Sequence, residues 1–175
     1  VFLPNPSAYG FNLYDVDRVE ILRGPQGTRE GKNTLAGSMR LETARPRPEA
    51  GGLVDVGYGT YDNRHGYAAA TGSLVPGKVT ARFSAGYADR DGFEKNSVAG
   101  DRVNTRKDYG AMARILVEVD PSAQIDLSMD VSRFVPVDIS AGAYDEVIHH
   151  RVTELDPFQD NRTVYGGSMR VNLLS

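Results

Sequence analysis

The sequence predicts an all-β chain: an open antiparallel sheet of about six strands, of the kind that forms part of a transmembrane β-barrel wall, after a shorter region of irregular elements. Three observations predict it. Beyond residue 48, apolar side chains recur at every second position, the period of a strand with two unlike faces. Each such stretch runs to about ten residues, the length a tilted strand needs to cross a membrane. The connections alternate between tight turns and long polar segments, as they do where turns gather at one rim of a barrel and loops at the other.

Composition narrows the classes. The 175 residues carry 20 Lys and Arg against 23 Asp and Glu, a net charge of -3, which argues against a nucleic-acid-binding surface. No apolar run approaches the ~20 residues of a membrane helix, so helical spans are excluded while strand spans are not. The absence of cysteine excludes a disulfide scaffold and thiolate metal sites. With 19 Gly, 9 Tyr, 6 Phe and no Trp, turns and strands are favoured over helix bundles. There is no initiator Met and no signal segment, and the chain reads as a fragment of a longer one.

The first region holds short elements. Asn12 or Asp15 suits the cap of a brief turn, and residues 18–23 alternate as a short strand with Val19 and Ile21 on one face. Gly24-Pro25 stops it. Residues 34–37 suit a helical turn, and 38–43 a second strand. The stretch Ala44-Arg45-Pro46-Arg47-Pro48 has two prolines in three residues, which disfavours helix and suits an extended linker. A boundary is therefore expected there, with residues 1–47 forming one region and 48–175 the other.

Six strands are expected after it. Residues 53–59 carry Val54, Val56 and Tyr58, and residues 64–74 are rich in Ala and Gly. Residues 78–89 set Val79, Ala81, Phe83, Ala85 and Tyr87 against Thr80, Arg82, Ser84 and Gly86. Residues 108–119 and 124–133 alternate in the same way, the latter through Ile125, Leu127, Met129 and Val131; residues 162–173 do so through Tyr165, Gly167, Met169 and Val171. Tight turns fall at Val75-Pro76-Gly77 and Asp120-Pro121-Ser122. Long connections fall at 90–107 and 136–160, and 60–63 is short where the alternation asks for a long one.

Tyr58, Tyr67, Tyr87, Tyr109 and Tyr165 all lie toward the loop end of their strands, four of them on the apolar face, with the phase of Tyr67 undecided. Amphipathic rings gather where apolar membrane meets water. Arg82, Arg114 and Arg170 fall on the polar face, as they must if lipid on the other face penalises a mid-membrane Arg by ~2–4 kcal/mol. Alternation and tyrosine also fit a soluble β-sandwich, and that alternative stays open on pattern alone.

The stretch Asp15-Val16-Asp17-Arg18-Val19-Glu20-Ile21-Leu22-Arg23-Gly24-Pro25-Gln26-Gly27-Thr28 resembles the end of the plug domain of TonB-dependent outer-membrane receptors. Gly31-Lys32-Asn33-Thr34-Leu35-Ala36-Gly37, a strand ending at Thr43, and Arg45-Pro46 follow in the family's order. The resemblance implies a fold: the C-terminal part of a small α+β plug domain, then the first strands of the barrel. It implies a site: the plug motif Glu20, Arg23, Gly24, Pro25, Gly27, Gly31 and Gly37. Glu20 and Arg23, three apart beside the turn, are read as pairing with each other or with the barrel wall. It implies energy-coupled uptake across the cell outer membrane of a scarce ligand, with a ferric siderophore as default and a cobalamin or glycan behind it. The partners it implies are TonB, with ExbB and ExbD, outer-membrane lipid and the extracellular ligand. Arg29 and Glu30 stand where the family has an apolar and then an aromatic residue.

Other signals are weaker. Residues 27–33 approach the phosphate-binding pattern G-x-x-x-x-G-K-[ST], but the spacer is one residue short and Asn33 replaces the hydroxyl. Asp145, Glu146, His149 and His150 read as a solvated loop rather than a metal site, with Tyr144, His149 and His150 as candidate ligand contacts at the outer mouth. No catalytic arrangement is legible, so neither an enzyme nor a cofactor is expected. The competing readings are a non-transporting barrel (an adhesin or an outer-membrane hydrolase) and a soluble carbohydrate-binding sandwich. The former needs no plug and so leaves residues 15–46 unexplained.

Overall fold

The computed structural model describes residues 15–24, 37–96, 102–138, 151–152, 158–159 and 161–173. They form β1 (Val16–Arg23), β2 (Gly37–Thr43), β3 (Gly51–Gly59), β4 (Asn63–Val75), β5 (Val79–Arg90), β6 (Glu94–Asn96), β7 (Arg102–Val103), β8 (Arg106–Asp120), β9 (Ala123–Asp138), β10 (Arg151–Val152), β11 (Phe158–Gln159) and β12 (Arg162–Leu173). None of the described residues forms a helix long and apolar enough to cross a membrane. Two compact units separate at Arg45 and Pro46, and each is taken by itself.

The first unit is the antiparallel pair β1–β2. Directly opposed residues share a face, so Val19, Leu41, Ile21 and Met39 make an apolar side, and Arg18, Glu42, Glu20 and Arg40 a charged one. The backbone N–H of Ala44 donates to the Asp15 carbonyl at 2.9 Å and closes the far end. Gly24 ends β1 at φ +88°, a left-handed conformation that glycine adopts without penalty. Of the helical turn expected at 34–37, residues 34–36 lie outside the described residues and Gly37 opens β2 instead.

The second unit is one large antiparallel sheet in the order β3-β4-β5-β8-β9, with β12 and then the short β11 end to end along the free edge of β9. The six long strands are those the alternation predicts. Register lines up Val54, Ala68, Ala85, Ala111, Val131 and Tyr165 as one row, and Thr71, Arg82, Arg114, Ser128 and Ser168 as a row on the other face.

The two faces are inverted with respect to water. Val56, Met129 and Leu173 on the apolar face are 77%, 71% and 82% exposed, while Ser84, Asp108, Arg114 and Asp126 on the polar face are buried. Among the described residues, Ala69 and Ala81 are the only buried hydrophobic side chains. A soluble sandwich packs its apolar face into a core against a second sheet, and the described residues form no such core. An apolar area this large is stable only against an apolar solvent.

Its height agrees. Tyr109 to Val119 on β8 is about ten steps of ~3.3 Å, which at a tilt of ~40° spans about 25 Å of membrane normal, the apolar band of such barrels. Five of the six long strands run to 12 residues or more. They exceed the expected ten because pairing continues past the band through polar residues such as Asp89, Lys107 and Asp108.

The connections follow from local chemistry. Gly77 takes φ +68° and the Lys78 N–H donates to the Val75 carbonyl at 3.0 Å. At the next turn, the Asp120 carboxylate accepts from the N–H of Ser122 at 2.7 Å. The short connection after β3 has positive φ at both Tyr61 and Asp62, the requirement of a two-residue turn that matches strand twist. The connection after β5 holds β6 and β7, and β10 from the later connection lies parallel on β6. Tyr67 stands opposite Gly86 and Asp55 on the polar face, so it leaves the tyrosine row. Ala and Gly on β4 concealed that phase.

Candidate functional site

Four plug-motif residues lie within the described hairpin. Glu20 is beside Arg18 at 3.2 Å, and Arg18 donates to Glu42 at 2.8 Å. The hydrogen bond from Arg18 holds the Glu42 carboxyl below its ordinary range, and the same bond raises the Arg18 guanidinium. Arg23 stands opposite Gly37, on the face of Val19 and Ile21. Direct pairing of Glu20 with Arg23 is therefore corrected. Three residues apart means one face on a helix but opposite faces on a strand. Gly37 has φ +141°, and a Cβ there would run into the Leu22 carbonyl oxygen. Pro25, Gly27 and Gly31, like residues 28–33 of the phosphate-type pattern, lie outside the described residues.

The polar face of the sheet is a continuous ladder. Arg114 donates through Nε and Nη2 to both Asp126 oxygens, at 2.9 and 2.6 Å, with each side chain only 10% exposed. Arg82 stands directly opposite Arg114, and Arg170 opposite Asp126. Ser128 and Ser168 share a hydrogen bond of 2.8 Å, and Gln124 reaches Glu118 at 2.5 Å. Nearer the loops, Arg106 donates to the buried Asp108 at 2.5 Å. Such a wall suits a polar, hydrated interior.

At the loop end, an aromatic and cationic cluster brings together residues that sequence reasoning did not single out. The Tyr61 and Phe93 rings meet edge to face at 6.4 Å. The Arg90 guanidinium lies 5.2 Å from the Phe93 centroid, and that of Arg102 5.9 Å from Tyr61. The Asp91 N–H donates to the Tyr61 carbonyl at 2.8 Å, and Arg102 donates to the Gly92 carbonyl at 3.1 Å. The available signal was a bulky residue in a two-residue turn, where φ > 0 is costly and needs outside support. Tyr144, His149 and His150 lie outside the described residues. No group of three or more metal-binding side chains is found among the described ones.

An outward apolar band, an inward polar ladder and turns opposite loops define this sheet as part of the wall of a transmembrane β-barrel. No protein-family model matches the chain. Over 78 residues (44% of the chain) it is 35% identical to the ferripyoverdine receptor of Pseudomonas aeruginosa, of which it covers 10%. The crystal structure of the outer-membrane ferripyoverdine receptor of Pseudomonas aeruginosa bound to ferripyoverdine matches 69% of the chain at 26% identity and TM-score 0.63, over 15% of that receptor. The ferric yersiniabactin uptake receptor FyuA from Yersinia pestis matches 93% at 18% identity and TM-score 0.87, over 27% of its length; this likeness is one of fold. These likenesses support the resemblance to TonB-dependent outer-membrane receptors carried by residues 15–46. The chain spans only a small part of the length of these relatives.

Proposed function

We propose that the chain contributes the end of the plug and the first wall strands of an outer-membrane receptor that imports a ferric siderophore, with residues 1–47 as plug and linker and 48–175 as wall. The observation that carries this reading is the inverted sheet, apolar outside and ion-paired inside, following in sequence the Arg23-Gly24-Pro25 hairpin. Its relatives' names support iron as the cargo: one is a receptor for ferripyoverdine and another takes up ferric yersiniabactin.

In this reading the plug motif of Glu20, Arg23, Gly24, Pro25, Gly27, Gly31 and Gly37 holds the plug in place until TonB, driven by ExbB and ExbD, pulls on it. Glu20 and Arg23 act on separate faces: Glu20 within the Arg18–Glu42 cluster, Arg23 toward whatever lies against the other side. A charged, hydrated contact releases at lower cost than a dry apolar one. Tyr144, His149 and His150 join the Tyr61–Phe93 cluster in meeting the ligand.

The test is uptake by the full-length receptor in a deletion strain, using ⁵⁵Fe-loaded siderophores, labelled cobalamin and a labelled maltodextrin. Iron uptake that vanishes without TonB is expected. Uptake of only the vitamin or glycan, or uptake indifferent to TonB, would overturn the reading. Reversing the charges of Glu20 and Arg23 singly is expected to impair uptake. The double reversal is expected to stay impaired, because the two do not touch.

A further inference from the structure

We infer that Tyr61, in the turn between β3 and β4, is a positioning residue for ligand capture. It clamps the neck of the connection from β5 to β8 and so holds β6, β7 and, through β6, β10. Tyr61 is out of keeping with its own turn. The Asn63 N–H donates to the Thr60 carbonyl at 3.3 Å, which makes Tyr61 and Asp62 the two central residues, at φ +59° and +51°. Such turns favour Asn, Asp and Gly there. Asp62 meets that preference, and its carboxylate accepts from Nε and Nη2 of Arg64 at 3.1 and 2.5 Å. A tyrosine at φ > 0 is strained, and such strain persists only where the surroundings impose it. The reason for Tyr61 therefore lies outside the turn.

Its contacts there close a ring around the neck. The Tyr61 carbonyl accepts from the N–H of Asp91, the first residue after β5, at 2.8 Å. The Tyr61 side chain meets Phe93 edge to face at 6.4 Å and carries the Arg102 guanidinium 5.9 Å from its centroid. Arg102 in turn donates to the Gly92 carbonyl at 3.1 Å. Arg90, 5.2 Å from the Phe93 centroid, donates to the Asn104 carbonyl at 3.3 Å. Each arginine thus ties its own leg of the connection to a carbonyl on the other leg. One stacks on Tyr61 and the other on the ring that Tyr61 abuts.

The held segments reach into both long connections. Glu94 stands opposite Val103 and Lys95 opposite Arg102, while Arg151 and Val152 lie parallel on Lys95 and Asn96. Strands of two or three residues have too little ladder to stand alone in water, so their order depends on this footing. In the import reading, on which this step rests, connections set in advance spare the ligand the cost of ordering them.

The experiment uses the full-length receptor in detergent. Amide exchange is read without ligand, and association kinetics with ferripyoverdine and ferric yersiniabactin follow. Tyr61→Gly removes the ring and also relieves the positive φ, so heat-modifiable gel migration is expected to persist. Exchange in β6 and β7 is expected to rise about tenfold, the combined worth of one ring pair and one cation–π contact. Arg102→Gln is expected to act in the same direction, and Tyr61→Phe to keep the wild-type exchange. The chelate that wild type binds is expected to associate more slowly with Tyr61→Gly and normally with Tyr61→Phe. A residue that only touched the ligand would leave the ligand-free exchange unchanged. Unchanged exchange in Tyr61→Gly, exchange in Tyr61→Phe as fast as in Tyr61→Gly, or faster exchange with unaltered association would each overturn the proposal. Failure of wild type to bind either chelate would count against the import reading, while the exchange result still decides the clamp.

Discussion

Replacing Asp126 by Asn isolates what the shielded polar face costs and supplies. Asp126 accepts two charge-assisted bonds from Arg114 in bidentate geometry, and both side chains are only 10% exposed, so water screens the pair little. The amide keeps the shape but removes the charge, leaving the Arg114 guanidinium buried and directly opposite Arg82. Removing one partner of a buried pair costs about 3–5 kcal/mol, or roughly two to three and a half decades in the folding equilibrium. The compensated change Arg114→Met/Asp126→Leu removes both charges and is expected within about 1 kcal/mol of wild type. The assay is urea unfolding of the full-length receptor in lipid vesicles, reading folded fraction from the mobility of unboiled samples. A loss under about 1 kcal/mol for Asp126→Asn would mean that water floods this face. A double change as damaging as the single one would mean that the residues matter separately. Either result refutes the reasoning.

The remaining predictions use the same receptor. Met129→Arg places a charge midway along the outward band and is expected to cost about 2–4 kcal/mol, whereas Thr163→Arg, level with Arg133 at the rim, costs about 0–1 kcal/mol; equal costs in the vesicle assay would refute the depth assignment. Glu42 has its carboxyl depressed by Arg18, so its contribution to the hairpin is present above the unfolded value of ~4.3 and is lost as pH falls through the lower folded value. Amide exchange in β1 and β2, corrected for intrinsic rates, is therefore expected to accelerate below that point, and Glu42→Gln to flatten the profile. Gly37→Ala is expected to destabilise the hairpin by more than about 1 kcal/mol, because its Cβ meets backbone at Leu22; unchanged exchange protection in β1 and β2 would exclude that clash.

Where one face of a strand is uniformly apolar, its inside and outside are legible without coordinates. Ile125, Leu127, Met129 and Val131 against Asp126, Ser128 and Asp130 admit only one phase, since a one-residue slip exposes every side chain to the wrong solvent. Strand β4 shows the limit. Ala and Gly fit either face, so nothing in its own residues says where Tyr67 points; the neighbours Gly86 and Asp55 decide. The hairpin shows another. The Glu20–Arg23 spacing speaks only once the backbone is known, because three residues mean one face at a period of 3.6 and two faces at a period of 2.

The loop-end cluster was illegible for a different reason. Tyr61, Arg90, Phe93 and Arg102 come from a turn, the end of β5 and the connection after it, brought together by a two-residue turn whose tyrosine takes φ +59°. Turn type and cross-loop contact are tertiary facts, and no window of sequence contains both. The wall is selected by a solvent that acts alike on every strand and so writes a repeating signal. The recognition surface is selected by one ligand, and it leaves single residues whose meaning depends on partners far along the chain. A barrel receptor therefore announces its membrane before its cargo.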